Sequence, residues 1–149
     1  FAIFLSAWVD PRPGRIRMYC SLAGASAKML HRKWLVRLQA RYWKLTAAQA
    51  DTMAGYAGRI TAQVYRSFFA HTLDLSKMPA YQTVRIPMFA ICGSREVRDM
   101  KTSLTLLAQN PNCQTLTLRG AGHDFPMRKA AQLNPILQKI ISDTLQSVF

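Results

Sequence analysis

Apolar positions along this chain follow two periods, one typical of buried strands and one typical of helices. A continuous apolar run, Phe1 to Val9, has the length of a strand buried on both faces of a sheet, and Asp10-Pro11 ends it with strong turn signals. Strand patterns return only at Val84 to Cys92 and at Cys113 to Arg119. The pattern therefore predicts three short strands, with a long segment between the first and the second.

That long segment, residues 11–83, is predicted to form an all-helical block. From about Lys28 to Leu45 the apolar positions fall on one stripe, which we expect to be buried; its members are Trp34, Leu35, Leu38, Tyr42 and Leu45. Thr46-Ala-Ala-Gln49 predicts a capping box that begins a second helix, which runs to about His71.

Helical patterns also follow the second and third predicted strands. One helix is predicted from Val97 to Gln109, and a closing helix from about Asn134, with Pro135 in its first turn. The apolar face of the closing helix comprises Ile136, Leu137, Ile140, Ile141, Leu145 and Val148. Strands that alternate with helices form parallel sheets through right-handed crossovers. The predicted fold class is α/β: a short parallel sheet of three strands, with flanking helices and a helical insertion.

The length of 149 residues suits one domain with a real core. The run from Phe1 to Val9 is shorter than the roughly 20 residues that span a bilayer, and it lacks the flanks of a signal peptide. The three cysteines, Cys20, Cys92 and Cys113, have no CxxC spacing, so we expect free thiols in a reducing, cytoplasmic compartment and no metal site. Because the chain starts inside a strand and the sheet would be small with an open edge, we expect it to be part of a larger fold.

Charge is the strongest anomaly in the composition. The net charge is +13, and between Pro11 and Ala50 there are nine basic residues and no acidic one. Nucleic-acid recognition would need base-reading or stacking groups at the spacing of a known module, and no such module is present. The pattern favours a solvated basic surface, drawn to anionic membranes or acidic substrates. A non-catalytic basic domain that binds nucleic acid or anionic lipid through residues 12–44 stays open as an alternative function.

Two polar residues lie just beyond the carboxyl ends of consecutive predicted strands. Glu96 follows the strand that ends at Cys92, and His123 lies in the turn Gly120-Ala121-Gly122-His123 after the next strand. Because parallel strands end at the same edge of a sheet, the two side chains can approach each other although they are 27 positions apart. A carboxylate that holds a histidine tautomer is the supporting half of a nucleophile, base and acid triad. Glu96 and His123 are therefore the predicted catalytic pair.

The same residues resemble a known family. The segment Ile86 to Glu96, the following helix and strand, Gly122-His123, and a closing helix with Leu133-Asn134 resemble the C-terminal half of an α/β-hydrolase. This resemblance covers nearly the whole chain. It implies that residues 1–10 are a core strand, residues 11–83 a helical cap, and residues 84–149 the core that carries the acid and the histidine of one domain.

The nucleophile of that family is missing from this sequence. The family places its serine in a G-x-S-x-G elbow between a strand and a helix, and the nearest string, Gly24-Ala25-Ser26-Ala27-Lys28, lacks the last glycine and a preceding strand. The resemblance implies a serine upstream of Phe1, supplied by the N-terminal half of the fold, and no cofactor. It further implies hydrolysis of an ester or related acyl bond in an apolar small molecule. Candidate cap residues around that substrate are Trp34, Tyr42, Met53, Tyr56 and Phe68.

Overall fold

The computed structural model describes residues 1–146 and contains a parallel sheet of three strands. The strands β1 (Ala2–Leu5), β2 (Met88–Gly93) and β3 (Cys113–Leu118) are neighbours in that order. In register, Leu5 pairs with Ile91, and Ile91 pairs with Leu116. The predicted α/β class and the short parallel sheet of three strands are confirmed, and all three strands end at the same edge.

Two of the strands are shorter than their apolar runs. β1 ends at Leu5, well before Val9, because Ser6 adopts a positive φ of 46° that takes the chain out of the sheet. β2 begins at Met88, directly after Pro87, which has no N–H to donate to a ladder. The carbonyl of Pro87 still accepts a hydrogen bond from Ala2 N at 3.0 Å, so the pairing starts as soon as the backbone allows it.

Three helices follow β2 and β3. Helix α5 (Arg98–Leu107) lies within the predicted segment 97–109. After β3 come α6 (Phe125–Arg128) and α7 (Ala130–Gln146). The predicted start of the closing helix near Asn134 is wrong: the amides of Gln132 and Leu133 already bond to the carbonyl of Lys129, and Pro135 lies inside α7. Val148, which was assigned to this helix, lies outside the described residues.

Each face of the sheet carries its own apolar cluster. On one face Ile91 and Leu118 pack with Ala121, Phe125 and Leu133, and the helix positions Ile136, Leu137 and Ile140 lie against them. On the other face Met88 and Ala90 pack with Val9, Tyr81, Leu107 and Cys113. Apolar clusters thus lie on both faces of the sheet, as continuous apolar strands require, while the four central residues of β3, Gln114 to Thr117, are exposed.

Four helices form a separate compact unit, Pro11–Thr72, and the other unit contains Phe1–Asp10 and the chain from Leu73 onward. The helices of this helical unit are α1 (Pro13–Leu30), α2 (Lys33–Tyr42), α3 (Ala47–Ala57) and α4 (Ala62–Ala70). Helix α1 packs against α4, and α2 packs against α3. Residues 73–83, predicted to be a connector at the end of the helical block, contain two short 3₁₀ helices (Leu75–Lys77 and Pro79–Thr83) and belong to the unit with the sheet.

The predicted helix boundaries in the helical unit are partly wrong. The single helix expected from Lys28 to Leu45 is broken at His31-Arg32, where His31 Nε2 bonds to the carbonyl of Ile60 at 2.8 Å. The capping box of Thr46 and Gln49 is confirmed. The helix that it begins stops at Ala57 instead of running to His71, because a second cap, Thr61, accepts from Val64 N at 3.2 Å and begins a new helix.

The predicted buried stripe is wrong at three of its five residues, whereas Leu35 and Leu45 are half-buried. Trp34, Leu38 and Tyr42 are 67%, 55% and 55% exposed, whereas Val36 and Ala40 are 3% and 0% exposed. The covered side of α2 packs against a helix whose own buried residues, Ala54 and Ala57, are small. Small side chains on both helices let them pack closely, so the larger residues of α2 are left on the opposite side. Tyr56 and Phe68, also considered as cap lining, are 65% and 72% exposed.

Candidate active site

A tight turn at the end of β2 places Glu96 at the carboxyl edge of the sheet. The amide of Glu96 bonds back to the carbonyl of Gly93 at 3.2 Å, and the amide of Ser94 bonds to the carbonyl of Leu118 at 2.9 Å. The second bond ties this turn to the last residue of β3. The side chain of Glu96 is consequently brought inward, and its exposed fraction is 1%.

The turn that carries His123 is hydrogen-bonded to the turn that carries Glu96. Gly120 has a φ of 70°, which favours glycine, and its amide bonds to Ser94 Oγ at 2.8 Å. The carbonyl of Ala121 accepts from Arg95 N at 2.8 Å and lies against Gly93, where a Cβ would collide with it. The missing side chain at Gly93 therefore lets the two turns approach, and the approach brings His123 over Glu96.

The structure brings the two predicted residues together. His123 Nδ1 lies 3.2 Å from Glu96 Oε2, and the side chain of His123 is 71% exposed while that of Glu96 is almost completely buried. An ionised carboxylate only accepts hydrogen bonds, so the proton of this bond lies on Nδ1. Nε2 then carries the lone pair, on a ring that is open to the surroundings. This is the tautomer that a general base needs.

A third side chain, Ser6, completes the arrangement and was missed by the sequence predictions. Ser6 is the first residue after β1, it is 9% exposed, and its hydroxyl donates to Glu96 Oε1. Both oxygens of Glu96 therefore have a hydrogen-bond partner, one just after β1 and one after β3. The available signal was a single hydroxyl residue inside the apolar run from Phe1 to Val9, but its left-handed backbone conformation leaves no trace in the sequence.

The other polar groups that the sequence drew attention to lie elsewhere or lack the right chemistry. Ser26 lies in α1, where its hydroxyl donates to the carbonyl of Leu22 at 2.7 Å. His71 Nδ1 contacts the carbonyl of Ser67 at 2.9 Å, at the end of α4. Cys92 is close to the pair, but burial, and secondly the charge of Glu96, raise the pKa of its thiol, so it is a poor nucleophile. Among residues 1–146 no hydroxyl or thiol bonds to Nε2 of His123.

Neither a metal cluster nor a membrane-spanning helix is found in the described part of the chain. Residues 1–146 contain no group of three or more His, Cys, Asp or Glu side chains that could hold a metal ion. No helix in the same range is long and apolar enough to cross a bilayer. A cavity of about 420 Å³ lies between α7 and the sheet, lined by residues such as Phe89, Leu116 and Ile140, but neither Glu96 nor His123 lines it.

Comparison with solved structures supports the fold. The structure of MenH from S. aureus, an enzyme of the α/β-hydrolase fold, matches with a TM-score of 0.62 and 12% sequence identity, over 96% of this chain. The chain spans 59% of the length of that MenH chain. Neither protein-family models nor curated protein sequences match this sequence. At this identity the likeness concerns the fold alone, and the chain therefore has a distant α/β-hydrolase-like fold.

Proposed function

We propose that this chain carries the base and the acid of an α/β-hydrolase that cleaves ester or related acyl bonds. The observation that supports the proposal most directly is the bond between His123 Nδ1 and Glu96 Oε2, at the carboxyl edge of parallel strands. A buried acid and an exposed histidine are the arrangement that a nucleophile outside residues 1–146 would require. In this proposal the nucleophile is a serine upstream of Phe1, and residues 1–10 and 84–149 belong to the same catalytic core.

His123 acts first as a general base and then as a general acid. Nε2 accepts the proton of the serine hydroxyl while the serine oxygen bonds to the acyl carbon, and it then gives that proton to the departing alkoxide. Water attacks the acyl-enzyme by the same route and releases the acid product. The carboxylate of Glu96 stays ionised, holds Nδ1–H, and stabilises the imidazolium that forms in each half-reaction.

Ser6 has a positioning role in this proposal. A carboxylate that accepted a bond on only one oxygen would be free to rotate about its terminal torsion. The hydroxyl of Ser6 holds Oε1, so that Oε2 is kept directed at the imidazole.

The helical unit is proposed to be the cap of this enzyme, with an apolar acyl compound as substrate. This proposal is supported by large apolar residues that are exposed on the four helices of the unit, including Tyr56 and Phe68. The remaining part of the hydrolase fold would be the other partner of this chain.

The experiment has two arms. The 149-residue chain alone is expected not to hydrolyse p-nitrophenyl esters. The chain extended by its upstream coding sequence, which we expect to contain a strand, a G-x-S-x-G turn and a helix, is expected to hydrolyse them. In the extended protein, Glu96→Gln should lower kcat by on the order of 10⁴-fold, and His123→Ala by at least as much.

His31→Ala is the matched control, because His31 contacts the carbonyl of Ile60 within the helical unit. It should leave kcat unchanged within about twofold. Hydrolysis by the isolated chain that depends on His123 would overturn the placement of the nucleophile. An extended protein whose activity is insensitive to both Glu96→Gln and His123→Ala would overturn the proposed mechanism.

A further inference from the structure

Helix α2 has a side on which three large apolar residues are more than half exposed. Trp34, Leu38 and Tyr42 are spaced by four residues, so each is turned by about 40° from the one before, and the three lie along one side of the helix. Each is more than half exposed, while Val36 and Ala40 face the interior of the unit. We call these three residues the α2 stripe. A single exposed apolar side chain is ordinary, but an aligned set with two aromatic residues marks an interaction surface.

A row of cations runs beside the α2 stripe. Lys33, Arg37 and Arg41 each precede one stripe residue, and all three are exposed. Arg37 Nη2 lies 2.7 Å from Asp51 Oδ1. Asp51 is the single acidic residue between residues 11 and 72, a segment with eleven Lys and Arg residues. The surface around the α2 stripe is therefore strongly positive, and its partner must be apolar beneath the stripe and negative beside it.

We propose that α2 lies on an anionic lipid surface, with the α2 stripe inserted at the boundary between headgroups and acyl chains. Trp and Tyr are the side chains that suit this boundary, because their bodies are apolar and their tips can hydrogen-bond. Lys33 and Arg41 are long enough to place their charges at the headgroup level while their stems cover the edge of the inserted side. Anionic phospholipid supplies both required features at once.

Charge and geometry argue against the two other partners. A second copy of the chain would bring two cation rows together, and like charges at close range oppose that contact. A nucleic acid would meet Leu38 at the centre of the contact, although a phosphate backbone favours cations there. Neither Glu96 nor His123 belongs to this surface. Because Trp34 and Tyr42 are also candidate cap residues around the substrate, the test changes other residues of α2 and measures vesicle binding separately from ester hydrolysis.

The test is flotation of the 149-residue chain with vesicles of phosphatidylcholine, with and without one third phosphatidylglycerol. Binding is expected only to the anionic vesicles, and it should weaken as NaCl rises from about 0.1 to about 0.5 M. Each Lys or Arg near such a surface contributes about fivefold to the partition coefficient, so Lys33→Glu/Arg41→Glu should lower it by at least about 25-fold. Leu38→Ser should lower it by about tenfold or more.

Two control variants separate the α2 stripe from general properties of the chain. Leu145→Ser changes the same residue type at 50% exposure in α7, and it should leave the partition coefficient unchanged. Lys101→Glu/Arg85→Glu makes the same change in net charge at exposed positions outside the helical unit, and it should lower binding by less than about threefold. Circular dichroism of each variant establishes that the helices are intact.

Several results would overturn the proposal. Equal loss of binding in the α2 variants and their controls would mean that net charge or hydrophobicity, and not the α2 stripe, is responsible. Absence of flotation with anionic vesicles, together with a dimer that Leu38→Ser converts to a monomer, would assign the surface to a second copy. If the chain does not float with vesicles but binds a single-stranded oligonucleotide, and Leu38→Ser leaves that binding unchanged, the cations would be assigned to nucleic acid.

Discussion

Substitutions at Ser6 separate the two features that make this residue unusual, its hydrogen bond and its backbone. The hydroxyl donates to the buried carboxylate of Glu96, while the φ of 46° lies in the region that side chains with a Cβ avoid. Ser6→Ala removes the bond and keeps the Cβ. Ser6→Gly removes both, so the difference between the two variants reports the backbone strain.

The expected magnitudes follow from these two features. A hydrogen bond to a charged group contributes about 1.5–3 kcal/mol, so Ser6→Ala should lower the free energy of unfolding by that amount. In Ser6→Gly the same loss is offset by relief of about 1–2 kcal/mol of left-handed strain. The greater freedom of glycine in the unfolded chain costs about 0.4–1 kcal/mol. We therefore expect Ser6→Gly to be more stable than Ser6→Ala by about 0.8 kcal/mol at the midpoints of these ranges, whose limits give roughly 0–1.6 kcal/mol.

Urea unfolding of the two variants and the parent chain, followed by circular dichroism, measures these differences if the slopes agree. The order is the informative result, because glycine is ordinarily the less stable choice at the end of a strand. A Ser6→Gly variant that unfolds more easily than Ser6→Ala would refute the strain argument. A Ser6→Ala variant as stable as the parent would refute the contribution of the bond to Glu96.

Three further predictions concern the packing around the site. Gly93→Ala should lower the free energy of unfolding in urea by about 1–3 kcal/mol, because the added Cβ would collide with the Ala121 carbonyl. Gly55→Ala, which has open space around it in α3, should raise the same quantity by about 0.5–1 kcal/mol, and equal changes in the two variants would contradict the packing argument. Phe125→Ala should cost about 3–5 kcal/mol in the same assay, since Phe125 is fully buried, and a loss below about 1 kcal/mol would contradict that packing. Burial raises the pKa of the Cys92 thiol, so as the pH rises past the ordinary thiol pKa of 9.0 the thiol ionises first in the unfolded chain, and the free energy of unfolding should fall. If the free energy of unfolding of Cys92→Ala falls equally steeply between about pH 8 and about pH 10, this prediction is wrong.

The sequence predicted best those strands and helices whose apolar pattern is compatible with only one arrangement. β2, β3 and α5 have clear periods and turn signals on both sides, and the structure places all three within one to four residues of the predicted bounds. The juxtaposition of Glu96 and His123 followed from topology, because parallel neighbouring strands must end at a shared edge. Their catalytic role stays a prediction.

The helical unit was harder to predict because its pattern allows more than one solution. α2 has large apolar residues on one side and small ones on another, and the sequence alone favours burying the large ones. In the structure the side of α2 that contains Val36 and Ala40 is buried instead, because it packs against the small residues Ala54 and Ala57 of α3. The break after α1 lies beside a contact between residues far apart in the sequence, His31 and Ile60, whereas the break after α3 has a local cap at Thr61 that the helical pattern did not reveal.

By itself, the sequence determined the α/β class, the three parallel strands and the two residues that meet at their carboxyl edge. Those features depend on burial periods and on connections that sequence order alone dictates. Only the tertiary structure decided that Ser6 leaves the sheet with a left-handed backbone and bonds to Glu96, and that the α2 stripe faces outward. Each of these depends on which residues from distant parts of the sequence pack against it, and the neighbouring residues in the sequence do not determine that packing.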